Sequence, residues 1–206
     1  MYEWLLFAHL VGVAFLLAGL GVHIVSVERL RSTPRVTDMQ VLLASAKNGE
    51  RLVFIGAGVL VIAGLALAAR FWSFRDGWIA TSIGLVIAQG IVGSIMGRRM
   101  DGLRGTLESA PDGVPSSDAV VVARSPVLHA SNRISVVIVV EILFLMTVKP
   151  AFRGILWSLL AAAGIGTVAI WPLFTRQRHQ QVSTEPARRR TQTSRSGSES
   201  PTGRTD

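Results

Sequence analysis

Apolar residues fill long stretches of this chain, and polar ones gather in the gaps between them. Five runs stand out, at residues 4–27, 52–69, 78–97, 134–148 and 155–174. Most are apolar on every side and lack the 3.6-residue polar stripe of a surface helix. A helix needs about 20 residues, at ~1.5 Å each, to cross ~30 Å of hydrocarbon. The pattern predicts an all-α, polytopic membrane bundle of five spans, with four spans and one split element as the alternative. The fourth run is short, but Pro126 to Lys149 offers it a longer helix with a wet start.

The polar gaps have their own patterning. In "VTDMQVLLASAKNGE", Met39, Leu42, Leu43 and Ala46 share one helical face, with Thr37 as an N-cap and Asn48-Gly49 as a stop. This predicts a short amphipathic helix at the membrane surface, an extension of the second span, or a solvated connector. The gap "RRMDGLRGTLESAPDGVPSSDAVVVARSP" mixes Pro, Gly, Ser and charge, so its middle is expected to be flexible. Beyond residue 174 almost nothing apolar remains. Such a segment buries too little surface to offset its ordering entropy. The chain therefore divides into a bundle over residues 1–174 and a disordered basic tail over 175–206. Within that tail, the "RRR" at 188–190 could touch anionic lipid.

Charge changes the picture by giving it a direction. Lys and Arg number 21 against 13 Asp and Glu. They are not evenly spread: one set of alternate loops holds five, five and seven, the other none, two and two. The positive-inside rule places the first set in the cytoplasm, with the N-terminus outside and the C-terminus inside. Trp4, Trp72, Trp78 and Trp157 then fall at the outer boundary and Trp171 at the inner one. "MYEWLLFAHL" opens with an acidic residue rather than a basic region, so it reads as a retained span of a multi-pass cytoplasmic-membrane protein. The positive charge lies beside the membrane, which points to lipid headgroups as partners and away from nucleic acid. The absence of cysteine excludes disulfides, cysteine-held metals and thiol catalysis.

Glycine and other small residues suggest how the spans pack. "VFIGAGVLVIAG" at 53–64 imitates a dinucleotide-binding loop, but Val61 occupies the place of the third glycine. In lipid, helices associate where small residues let backbones approach. Ala80, Gly84 and Ala88, then Gly93 and Gly97, form such stripes in the third span, and Ser158, Ala162 and Gly166 do so in the fifth. The same stripes suit a homo-oligomer or a membrane-protein partner.

Ionisable and amide groups at membrane depth mark function by default. His9 and His23 are 14 residues apart, nearly four turns, so they share a face ~21 Å apart. Glu141 lies eight residues from both Arg133 and Lys149, about 12 Å from each, near the midplane. Gln89 reaches a similar depth. These positions predict a His9–Gln89–Glu141 polar cluster, with Glu141 protonated, paired or hydrated. The alternative is that Glu141 stays neutral and only glues helices. His23 and His129 approach one level on two helices and could ligate a haem axially; otherwise His23 is a headgroup-level residue beside Glu28.

Trp4-x4-His9 followed by "LVGVAFLLAG" resembles the leading helix of small bacterial membrane bundles. With "FLMTVKP" closing the fourth span, residues 1–150 are similar to a bacterial predicted integral membrane protein family of unknown function. The fifth span and tail are additions to that pattern. The first helix alone resembles the copper-resistance D-type proteins and the four-helix haem-binding protoporphyrinogen oxidase. The oxidase resemblance implies haem ligation by His9. That enzyme type also uses a lysine in a later span, whereas the third span here offers only Gln89. Neither H-E-x-x-H nor G-x-S-x-G occurs. The expectation is a structural or accessory membrane component of unknown biochemical activity. Two further readings stand beside it. One is a redox protein holding haem b or a copper ion on His9, or on His23 with His129. The other is a small proton-coupled transporter built on Glu141.

Overall fold

The computed structural model describes residues 1–108, 110, 113 and 115–172. The tail expected to be disordered, and part of the gap expected to be flexible, lie outside these residues. Among the described residues every regular element is a helix, and five are long and apolar enough to cross a membrane.

Helix α1 covers Tyr2–Leu30. Glu3 in its first turn and Arg29 in its last both suit the helix dipole. The Ser32 and Thr33 hydroxyls donate to the Arg29 carbonyl, and Pro34 follows. Helix α2 runs Val36–Phe71 without interruption. Its 36 residues span about 54 Å, so nearly half of it projects beyond an apolar layer. The amphipathic segment is therefore an extension of the second span. Thr37 lies inside the helix, Arg35 holds the N-cap position, and Asn48-Gly49 does not end it. Gly49 passes through because it is packed against α1, where a helical glycine has a use.

Helix α3 (Gly77–Glu108) follows a turn in which Asp76 accepts from the Ser73 amide. Helix α4 (Ser117–Ala123) is capped by Ser116, whose hydroxyl accepts from the Ala119 amide. Pro126 starts α5 (Pro126–Val148) at a position where no amide is needed. Together α4 and α5 supply the fourth span, broken once at Arg124–Ser125. Lys149 caps α5 in the left-handed conformation, with φ of 49°. The last helix, α6, covers Phe152–Pro172.

The helices form two antiparallel pairs, α1 with α2 and α3 with α5, and the pairs touch each other sparingly. The α1–α2 seam is closed by glycine. A Cβ on Gly12 would lie 2.7 Å from the Leu60 nitrogen, and one on Gly19 would lie 2.6 Å from the Gly49 carbonyl oxygen. Gly49 and Gly56 return the contact from α2. In each helix these glycines are seven residues apart, the repeat that keeps one seam facing its partner along a left-handed pair.

The two ends of the bundle differ. At one, the aromatic end, Tyr2 packs on Phe71, and Trp72 meets Trp78 edge to face. Lys149 Nζ sits 4.0 Å from the centre of the Trp72 ring. At the other, the basic end, Val27, Leu30, Met39, Leu43, Met100, Leu103, Ala119 and Leu128 form the buried apolar core. That core joins α1, α2, α3, α4 and α5.

Candidate functional site

Between the two helix pairs lies a cavity of about 810 Å³. Its walls are mostly aliphatic, from Leu16, Leu20 and Val53 on one pair to Val139 and Leu143 on the other. It reaches the bundle surface at Phe54, which lines it while remaining 82% exposed. Glycines give α3 its share of the space. Gly90, Gly93 and Gly97 face the cavity, and a Cβ on Gly93 would meet nothing within 4 Å.

Both span-one histidines line this cavity, and α2 orients each of them. His9 Nδ1 is 3.1 Å from the Leu60 carbonyl oxygen, and Gly64 leaves room for the ring. His23 Nδ1 is 3.4 Å from the Ala46 carbonyl oxygen. A carbonyl only accepts, so Nδ1 carries the hydrogen in both rings and Nε2 is left as an acceptor. His23 is 5% exposed and its Nε2 is buried without a partner. Gln89 projects from α3 and donates to the Ser135 hydroxyl on α5, leaving its carbonyl oxygen buried and unpaired. Glu50, Arg98 and Asp101 line the same cavity at the basic end.

Glu141 is placed differently. It is 7% exposed and lines a second groove, of about 300 Å³, between α3, α5 and α6. Leu85, Leu159 and Ala162 face it there, and one carboxyl oxygen is buried without a partner. The structure thus brings His9 and Gln89 to one cavity and separates Glu141 from both. Gln89 is level with Ser135, so Glu141, six residues further along α5, lies about 9 Å away along the axis and faces α6. On the same helix, Arg133 donates to the Ala169 carbonyl of α6.

The imidazoles of His23 and His129 do not share a site. His129 is fully buried outside the cavity. Its Nε2 lies 3.1 Å from the Ala123 carbonyl oxygen and its Nδ1 3.5 Å from a Glu28 carboxylate oxygen. Both ring nitrogens face protein, so a haem bridging His23 and His129 does not fit this arrangement. Glu28 is the neighbour of His129, not of His23. Among the described residues no group of three or more His, Asp or Glu side chains is gathered for a metal ion.

The small-residue stripes also take other roles within the chain. Gly84, Gly93 and Gly166 have no neighbour within reach of an added Cβ, and Ala80 is exposed. Gly97 makes room for Glu50, while Ala88 is half-buried. Ala162 and Gly166 line the Glu141 groove, and the Ser158 hydroxyl bonds back to Ile155 in its own helix. The glycine seam of α1 and α2 was legible as a seven-residue repeat, 12 and 19 against 49 and 56. A search for small residues four apart passes over it.

Comparison with protein-family models, with curated proteins and with solved structures finds no match for the chain.

Proposed function

We propose that this chain is an accessory protein of the cytoplasmic membrane, with its N-terminus outside, that binds a membrane-resident amphipathic molecule between its two helix pairs. One observation carries this reading: a cavity of about 810 Å³ at membrane depth, with aliphatic walls and inward-facing polar groups. Ligand sites are typically clefts of ~300–1,000 Å³, apolar apart from a few polar groups that fix orientation. A lipid-facing opening at Phe54 gives such a molecule a route from the bilayer. The basic end, with Arg98 and Arg104, suits the cytoplasmic leaflet under the positive-inside rule.

The test is native mass spectrometry of the full chain, extracted in mild detergent. A bound amphipath should survive extraction from the wild-type protein and disappear in Gly93→Leu, which extends a side chain into the cavity from a position where an added Cβ meets nothing within 4 Å. Equal retention by the two proteins, or none by either, rejects the reading.

The orientation of His9 favours a second reading. A ring nitrogen bonded to a backbone carbonyl is how proteins aim the other nitrogen at a metal, and Leu60 does this for His9. Haem b or a copper ion on His9 would give a Soret band or a metal signal. A colourless, metal-free preparation from haem-replete cells discards that reading.

A further inference from the structure

We infer that the occupant of the cavity is a zwitterionic phospholipid with a primary-amine headgroup, of the phosphoethanolamine type, entering from the leaflet at the basic end. This rests on the reading that the cavity holds a membrane amphipath, and it names the chemistry of the head.

The polar atoms at that end are mostly acceptors. His23 lines the cavity, and its Nε2 is buried with no partner. Its hydrogen is committed to Ala46 through Nδ1, so the ring can only receive a hydrogen bond. An alkyl chain placed there would leave it unsatisfied, which is unfavourable in a low-dielectric site. The occupant must therefore bring an N–H or O–H.

Charge narrows the choice. Glu50 lies on the same wall, and Gly97 on α3 leaves room for its carboxylate, an added Cβ there lying 3.0 Å from Oε1. The nearest guanidinium, Arg104, is 3.9 Å from Glu50. Arg104 is engaged more closely elsewhere, 2.6 Å from Asp101 and 3.2 Å from the Leu43 carbonyl oxygen. Glu50 thus retains negative charge that a cation can answer. Arg98, exposed at the same rim, supplies the positive charge that a phosphate needs.

An ammonium facing His23 Nε2 and Glu50, with its phosphate towards Arg98, matches all three groups. The acyl chains then lie along Leu16, Leu20 and Val139. A choline head has the same charges but no N–H to donate. A glycerol head has hydroxyls but brings no cation to set against Glu50, while Asp101 is already paired with Arg104.

The experiment compares three lipids of identical acyl composition, phosphatidylethanolamine, phosphatidylcholine and phosphatidylglycerol, by native mass spectrometry of the full chain. The ethanolamine lipid should be retained about tenfold better than the choline lipid, the scale of one charge-assisted hydrogen bond. Glu50→Gln should reduce that preference by about threefold or more, because a neutral amide replaces the carboxylate that the ammonium meets, while the acceptor on His23 remains. Equal retention of ethanolamine and choline lipids by the wild-type protein overturns the headgroup inference, and so does preferential retention of the glycerol lipid. A smaller reduction in Glu50→Gln overturns it as well. Those outcomes leave the cavity reading intact. Loss of all three lipids from the wild-type chain, or indifference to Gly93→Leu, removes the cavity reading itself. The wild-type comparison needs no variant to fold, and helicity and elution volume verify the two variants.

Discussion

Replacing Gly56 by alanine tests whether the α1–α2 pair is held by backbone contact. The new Cβ would stand 2.5 Å from the Leu16 nitrogen, 2.8 Å from the Gly12 oxygen and 3.0 Å from the Phe15 Cβ. Favourable contacts between heavy atoms lie nearer ~3.5–4.0 Å, so the seam must open by roughly 1 Å. Overpacking of this kind costs ~1–3 kcal/mol, against a gain of up to ~1 kcal/mol from the better helix propensity of alanine. Gly58, two residues on, is exposed with nothing near it, so Gly58→Ala keeps the gain and avoids the clash. The two variants should differ by about 2 kcal/mol. Equilibrium unfolding in mixed detergent micelles, followed by circular dichroism, reads the difference. A Cβ on Gly12 would meet the same crossing, 2.9 Å from the Gly56 oxygen. Gly12→Ala combined with Gly56→Ala should therefore cost less than the sum of the two, because the first substitution has already parted the helices. Equal stability of Gly56→Ala and Gly58→Ala refutes the reasoning, and strict additivity refutes the shared crossing.

Three further outcomes are expected. Lys149→Ala should lose the cation above the Trp72 and Trp78 rings, roughly 0.5–1 kcal/mol, and keep the strain of a Cβ in the left-handed cap; Lys149→Gly loses the same cation but relieves that strain. Thermal unfolding ranks the two against the wild type, and a glycine variant no more stable than the alanine one contradicts the cap argument. Glu141→Leu should leave stability unchanged or raised, since a buried carboxyl with an unpaired oxygen in an aliphatic groove contributes little to holding helices together. If Glu141 instead carries protons, Glu141→Gln abolishes pH-dependent flux in liposomes, and unchanged flux ends that idea. Met100→Ala, in the fully buried core at the basic end, should cost ~2–5 kcal/mol, whereas Leu143→Ala on the cavity wall should cost much less.

The spans were legible because lipid imposes them. A backbone that cannot bond to water must be helical, and the hydrocarbon thickness sets the length of the apolar run. That argument found the first three spans and the fifth, and it gave the fourth its longer helix from Pro126. It did not find the ends of α2 and α3, whose basic-end turns are polar outside and apolar within. What it left undetermined was direction around each axis. One residue of rotation moves a side chain by about 100°, so counting depth did not show that Glu141 would face α6 while Ser135 met Gln89. Glycine was ambiguous for a related reason. It serves close approach at Gly12 and Gly19 and empty space at Gly93. The seven-residue spacing of the first pair, repeated on the facing helix, is the difference a sequence can display.

The placement of the core explains how such a cavity persists. Inside lipid, burying an aliphatic side chain against protein gains little, because the acyl chains are equally apolar. The hydrophobic effect acts where water is near, and there α2, α3 and α4 bury Met39, Leu43, Met100, Leu103 and Ala119 together. This basic-end core joins the two helix pairs at one point, while each pair is held on its own terms, by glycine contact in α1–α2 and by Gln89 on Ser135 in α3–α5. Nothing in the apolar layer then requires the pairs to close upon one another. A molecule of the bilayer can fill the gap without displacing a helix contact, and the imidazoles on α1 face the space it would occupy.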